Sequence, residues 1–152
     1  MGNLNGCEFP EELRSYVERA QWLWIRAEGM VVRVGVTDPA QTRAGRILVV
    51  RVKPAGTFRE RGRPIASIES GKWAGPVMAP VSGELLEANP ELEKDPSVIN
   101  SDPYGKGWVA RMRPSHAEQL NDLLSAATAQ ERFRGILERE GIHCHRLAPR
   151  NP

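Results

Sequence analysis

The chain has 152 residues, 40% of them hydrophobic and 26% charged, with a formal net charge of +2. This is enough for one domain to bury a core without disulfide staples. The charge is too small to argue for nucleic acid, and no apolar run nears the roughly 18–20 residues of a membrane span. The opening Met1-Gly2-Asn3-Leu4-Asn5 lacks a signal-peptide apolar region, so cytoplasm is the default expectation.

In chain order, Phe9 to Arg19 reads as a short amphipathic helix, with Pro10 near its start and apolar residues at Phe9, Leu13, Tyr16 and Val17. Trp22 to Arg26 alternates as a strand, Glu28-Gly29 turns it, and Met30 to Val36 continues as a second strand. Thr37 or Asp38 is placed to cap a short helix that Pro39 begins and Gly45 ends. Ile47 to Val52 is a further strand, and Pro54-Ala55-Gly56 a turn. Pro90 to Gly107 is turn-rich with little periodicity, and Trp108 to Met112 returns as a strand. Beyond Pro114, Leu120, Leu123 and Leu124, then Phe133, Ile136 and Leu137, predict two helices, the second closed by Gly141.

Many short strands between turn signals, with helices gathered at the ends, predict a mainly β fold with peripheral helices. The expected layout is one domain over 1–152. It has a β core at 22–113, a lysine hairpin at 66–83, C-terminal helices at 114–141 and a tail at 142–152.

The hairpin is the most informative stretch. Glu69-Ser70-Gly71-Lys72-Trp73-Ala74-Gly75-Pro76 sets one lysine between two β-type runs, inside a tight turn. A lysine held out there has little to pack against, which suits acylation by another enzyme and a carrier role. Its plain alternative is an ordinary solvated turn lysine. Ser70 and Ser82 read as turn residues and His116 as a surface or cap residue. No nucleophile–base–orienter set, Gly-rich phosphate loop or correctly spaced metal quartet supports an enzyme.

Arg43, Arg46, Arg51, Lys53, Arg59, Arg61 and Arg63 crowd one third of the chain, with Glu60 the one acid among them. They read either as a solvated face or as a docking surface for an acidic partner. Cys7 and Cys144 are either unrelated terminal cysteines or a redox-active pair, since structural disulfides are uncommon in the cytoplasm. Together with His143 and His145 they match no standard metal spacing.

Several separated motifs resemble glycine cleavage H proteins. They are Trp24-Ile25-Arg26-Ala27-Glu28-Gly29, Val34-Gly35-Val36-Thr37-Asp38, Ala40-Gln41, and Glu69-Ser70-Gly71-Lys72 against the family's Glu-Ser-Val-Lys. Further on come Ala79-Pro80-Val81-Ser82-Gly83-Glu84, Asn89, Asn100, Asp102-Pro103-Tyr104 and Gly107-Trp108. The resemblance spans roughly residues 22 to 127.

It implies a lipoyl-domain barrel-sandwich hybrid with lipoate in amide linkage to Lys72. Glu69 would help the modifying enzyme recognise the lysine, and Gly83 would allow the turn after the hairpin's second strand. Biotin attachment is less apt, because Gly71 and Trp73 replace the methionines that typically flank such lysines.

H proteins shelter an aminomethylated arm, and carboxylates suit that cationic cargo. The family's glutamate within His-Glu-Trp corresponds to Leu23, its histidine to Trp22, and the acid four residues past the lysine to Pro76. Trp73 is either a hairpin aromatic covering the sheet or a contact for the dithiolane.

With its Glu-Ser-Gly-Lys-Trp-x-Gly-Pro tip and terminal cysteines, the chain also resembles the lipoate-binding protein of the heterodisulfide-reductase-like sulfur-oxidation system. That resemblance implies a dithiol carrier of sulfur intermediates and electrons. Its implied partners are lipoate-protein ligase or lipoyl-transfer enzymes, a heterodisulfide-reductase-like complex and dihydrolipoamide dehydrogenase, with no nucleic acid or membrane. A glycine cleavage H protein and an unmodified interaction module are the alternatives.

Overall fold

The structure is a computed structural model that describes residues 2–149. Eleven strands, four α-helices and one 3-10 helix are formed among the described residues. In chain order the first elements are β1 (Gly2–Leu4), β2 (Cys7–Phe9), β3 (Arg14–Glu18), β4 (Gln21–Glu28), β5 (Val31–Val36) and α1 (Asp38–Ala44). Next come β6 (Ile47–Val52), β7 (Phe58–Arg59), β8 (Pro64–Ser70), β9 (Ala74–Met78) and β10 (Gly83–Ala88). The chain closes with α2 (Glu91–Lys94), α3 (Val98–Ser101), β11 (Ala110–Pro114), the 3-10 helix Ala117–Asp122 and α4 (Ala126–Glu140).

The strands form three sheets: a β1-β2 hairpin, a six-stranded sheet ordered β3-β4-β5-β11-β10-β7, and a three-stranded sheet ordered β6-β8-β9. Every pairing is antiparallel. The six-stranded and three-stranded sheets share one buried core. Leu23, Val34 and Met112 reach it from the larger sheet, and Ile47, Ile68 and Val77 from the smaller one. The fold is thus mainly β, a curled half-barrel with peripheral helices, as the turn-punctuated strands predict.

The amphipathic helix expected over Phe9 to Arg19 is not formed. Its residues end β2, turn at Pro10–Leu13, and run on as β3. Phe9, Leu13, Tyr16 and Val17 fit a helical stripe, but Leu13, Ser15 and Val17 also alternate inward, and this second pattern prevails. The reason is tertiary. β4 offers an edge to which β3 pairs from Arg14↔Ile25 to Glu18↔Gln21, and long-range pairing overrides local periodicity.

Between Pro90 and Gly107 the chain winds into α2 and α3, each four residues long and too short to show a period. The first of the two C-terminal helices is a 3-10 helix, and Ser125 then caps α4 by accepting the Thr128 N–H.

Residues 142–149 have no regular secondary structure but are tied down. The Cys144 N–H donates to the Asn5 carbonyl (2.9 Å), Gln41 Nε2 to the His145 carbonyl (2.8 Å) and Arg46 Nη1 to the Ala148 carbonyl (3.2 Å). Cys7 and Cys144 are joined by a disulfide.

Candidate functional site: the lysine hairpin and its cleft

β8 and β9 form a hairpin whose connection is Gly71, Lys72 and Trp73. Two contacts close it. The Ser70 N–H donates to the Trp73 carbonyl (2.7 Å), and Ser70 Oγ accepts the Trp73 N–H (3.1 Å). A serine side chain thereby takes the place of a backbone acceptor in the turn. Ser70 and Ser82 are both turn-bracing residues as expected, since Ser82 Oγ accepts the Arg61 N–H (2.9 Å).

Lys72 is exposed at this tip, and its stem lies against the end of α1, where a Cβ on Gly45 would come within 3.1 Å of Lys72 Cε. Gly45 ends α1 at φ +78°, a conformation that favours glycine, and the lysine stem lies against it.

Asn100, fully buried, fixes this stretch from behind. Its Oδ1 accepts the Ile47 N–H (2.8 Å), and its Nδ2 donates to the Gly45 carbonyl (2.8 Å) and to Gln41 Oε1 (3.1 Å). The resemblance singles out Asn100 without a role; the structure gives it one.

Glu69 stands exposed on β8 opposite Val49 and Ala74, with no ion pair among the described residues. Its carboxylate is thus open to solvent three residues before the lysine. Gly83 does not make a turn. It is the first residue of β10, and a Cβ there would land on the Arg113 carbonyl of β11, so glycine is needed for strand-to-strand approach.

Beside the hairpin lies a narrow cleft with about 30 Å³ of free volume. Trp22, Leu23, Ala44, Ile68, Trp73 and Pro76 contribute apolar walls. The three positions where the resemblance marks a departure, Trp22, Leu23 and Pro76, thus meet in one place. Trp73 joins them half-buried, with its ring where a Gly75 Cβ would otherwise stand, 2.8 Å away. It therefore covers the sheet and lines the cleft at once.

Gln21 closes the open edge of β9. Its Oε1 accepts the Met78 N–H and its Nε2 donates to the Pro76 carbonyl, both at 2.8 Å. Ala44 lines both the cleft and the groove that holds Lys72.

Arg43 is the charged residue of the cleft lining, and no carboxylate joins it among the described residues. Its guanidinium sits 3.5 Å from the centre of the Trp22 ring, and Nη2 donates to the Ala20 carbonyl (3.1 Å). Burial pushes its pKa down, opposed by Glu140 at the end of α4.

The basic run meets several different features. Arg43 faces the cleft, Arg46 lines the Lys72 groove, and Arg61 pairs with Asp122 (2.7 Å). Arg51 and Lys53 flank a separate shallow groove that also touches Pro76. Sequence reasoning placed Arg43 in a charge run only. Its position just before Ala44-Gly45, at the end of a capped helix, is the signal that could have set it apart.

A second polar cluster braces α1 on its far side. Asp38, 2% exposed at its side chain, accepts the Glu8 N–H (3.0 Å) and pairs with Arg146 (3.3 Å). Tyr104 Oη accepts the Asp38 N–H (2.9 Å) and donates to the Glu8 carbonyl (2.7 Å). Burial drives the Tyr104 pKa far above the ordinary phenol range. The disulfide belongs to this brace. Cys7 is fully buried and Cys144 half-buried, so a reductant meets the bond from the Cys144 side. With its sulfur bonded to Cys7, Cys144 is not available as a metal ligand beside His143 and His145.

The sequence pattern of the family described as "Glycine cleavage H-protein" matches residues 14–135. This chain belongs to that family. A relative from Sulfurisphaera tokodaii named "Probable glycine cleavage system H protein 2" is 45% identical, covering 97% of this chain and 100% of the relative. "Glycine cleavage system H protein 2" of Aquifex aeolicus is 44% identical over 91% of this chain and 86% of its own length. The crystal structure of a glycine cleavage system H protein from Mycobacterium marinum is similar, with TM-score 0.69 and 25% identity, covering 88% of this chain and 99% of that one.

H proteins are lipoyl carriers and not catalysts themselves, and they bear lipoate covalently on a lysine. The residues present fit such an arm. The exposed lysine lies in a groove that shares Ala44 with the apolar cleft. No described helix is long and apolar enough to cross a membrane.

Proposed function

We propose that this chain carries lipoate in amide linkage on Lys72 and serves cytoplasmic sulfur oxidation. The arm would work between a heterodisulfide-reductase-like complex and the enzymes that attach or reduce lipoate. The observation that carries this reading is the cleft lining. Leu23 and Pro76 occupy the positions where the resemblance puts carboxylates, and Arg43 supplies a positive charge beside them. An aminomethyl cargo is a cation, and a half-buried cation facing it without a carboxylate disfavours its shelter.

Bound lipoate supplies a ring disulfide that opens to two thiols and so exchanges sulfur and electron pairs. The chain's own residues do the rest. Lys72 presents the attachment amine, Glu69 offers the modifying enzyme a charge, and Ser70 closes the turn that presents both. Trp73, Leu23 and Pro76 keep water from the cleft, and Ala44-Gly45 guides the arm toward it.

The names of the relatives favour a second reading, a glycine cleavage H protein loaded with an aminomethyl group.

Co-expression with a lipoate-protein ligase, followed by intact-mass measurement, tests the attachment. A lipoyl or octanoyl increment is expected on the wild type and not on Lys72→Arg. No increment would leave an unmodified interaction module. Glycine-dependent aminomethyl loading with the other cleavage-system proteins then separates the two carrier readings. Robust loading would sink the sulfur-oxidation reading.

A further inference from the structure

We propose that Arg43 makes the cleft selective for anions, so that the reduced arm on Lys72 rests there with its terminal sulfur as a thiolate. The inference rests on the attachment reading above and adds the charge of the species the cleft accepts.

Three observations carry it. The guanidinium is held in place by the Trp22 ring at 3.5 Å and the Ala20 carbonyl at 3.1 Å, so it cannot swing freely into solvent. It has no ion-pair partner among the described residues. Glu140 acts on it through space from the end of α4, without a salt bridge. It also lies within reach of the arm. Ala44 lines both the cleft and the lysine groove, Lys72 Cε sits against Gly45, and Arg43 is two residues earlier on the same helix. Trp73, the residue after Lys72, lines the same cleft as Arg43.

A guanidinium keeps its charge at any working pH, and desolvation strengthens its pull on a nearby anion. The remaining charge on this path has the same sign, because Arg46 lines the lysine groove. Neither the groove nor the cleft offers a carboxylate among the described residues. A thiol beside such a cation loses its proton at lower pH. The wall of the cleft would therefore set both which cargo is held and how reactive the arm is at neutral pH.

The experiment uses full-length lipoylated protein, with complete modification confirmed by intact mass. After phosphine reduction, iodoacetamide alkylation of the arm is followed across pH on the Lys72 peptide, where the two cysteines do not count. In the wild type the more acidic arm thiol should titrate about one pH unit below that of free dihydrolipoamide, about a tenfold larger thiolate fraction. Arg43→Gln should remove that advantage, and Arg43→Lys should retain most of it. A purely structural role for Arg43 would not move this pH profile.

Pro76→Glu gives an independent arm. Residue 76 is exposed, and its nitrogen donates no hydrogen bond in the wild type, so a glutamate there adds an anion to the cleft wall at little structural risk. It should raise the thiol pKa in the same direction as Arg43→Gln. Superimposable profiles for wild type and Arg43→Gln would overturn the proposal. If Arg43→Gln does not fold, an unchanged profile in Pro76→Glu does so. Failure of lipoylation at Lys72 would refute the attachment reading instead.

Discussion

Breaking the Cys7–Cys144 bond should cost this protein a large share of its stability. The bond closes a loop with a sequence separation of 137 residues. In the chain-entropy account, denying the unfolded chain that freedom contributes about 5 kcal/mol, against about 4.7 kcal/mol for a 100-residue loop. Measured values often fall short of this ceiling, so a loss of about 3–5 kcal/mol is expected on reduction. For a chain of this size that corresponds to a fall in melting temperature of roughly 6–20 °C.

The structure also says where the loss begins. Without the bond, the segment carrying Cys144, His145 and Arg146 is held by side-chain and backbone contacts alone, so the brace on α1 loosens first. The assay is guanidinium unfolding followed by tryptophan fluorescence. It compares oxidised wild type, reduced wild type and the Cys7→Ala, Cys144→Ala double variant. Cys7 is fully buried, so the double variant carries a further truncation cost, and reduced wild type is the cleaner comparison. A difference below about 1 kcal/mol would refute the reasoning, since it lies far below the chain-entropy value for so long a loop. So would two thiols titrating in denaturant without reductant, because the chain holds two cysteines in all.

Asn100→Ala removes the acceptor of the buried Ile47 N–H and the donor to the part-buried Gly45 carbonyl. At about 1–3 kcal/mol for the buried group and less for the part-buried one, a loss on the order of 2–4 kcal/mol is expected in equilibrium unfolding, with faster amide exchange at Ile47. Burial raises the pKa of both tyrosines, Tyr16 and Tyr104, in the folded state. The folded chain therefore keeps protons that the unfolded chain releases. The resulting stability is fully present below the ordinary phenol pKa of about 10 and is lost as pH rises beyond it. Titration at tyrosinate absorbance should show no transition at that value until the protein unfolds, and Tyr104→Phe should flatten the alkaline fall in stability. Gly71→Val, which restores the family's Glu-Ser-Val-Lys, should be tolerated. Residue 71 has no positive φ, and a Cβ there meets nothing within 4 Å. Its melting temperature should stay within about 2 °C of wild type, near the scatter of benign surface changes, with lipoylation intact by mass. Loss of modification would show that glycine itself is read by the modifying enzyme.

Residue order alone determined most of what is local. Thr37, Pro39 and Gly45 delimit α1 because a cap, a preset φ and a left-handed terminus act within a few residues. The Glu28-Gly29 turn, the serine-closed hairpin and the end of α4 at Gly141 were legible for the same reason. So was the lysine at the tip, since turn residues on both sides leave it no core to enter.

Tertiary structure decided whatever depends on a distant partner. Phe9 to Arg19 satisfies a helical and a strand pattern equally, and the free edge of β4 chooses between them. Gly83 looks like a turn glycine until the Arg113 carbonyl arrives from a strand thirty residues on. Cys7 finds Cys144 only when the two ends of the chain cross α1. The cleft belongs to this second class. Trp22, Leu23, Arg43 and Pro76 are spread over more than fifty residues, and the packing of two sheets and one helix brings them together. Local sequence was enough to place Lys72 at a hairpin tip, because a turn is a short-range object. The cleft beside it is a long-range matter, because such a surface is made where elements converge.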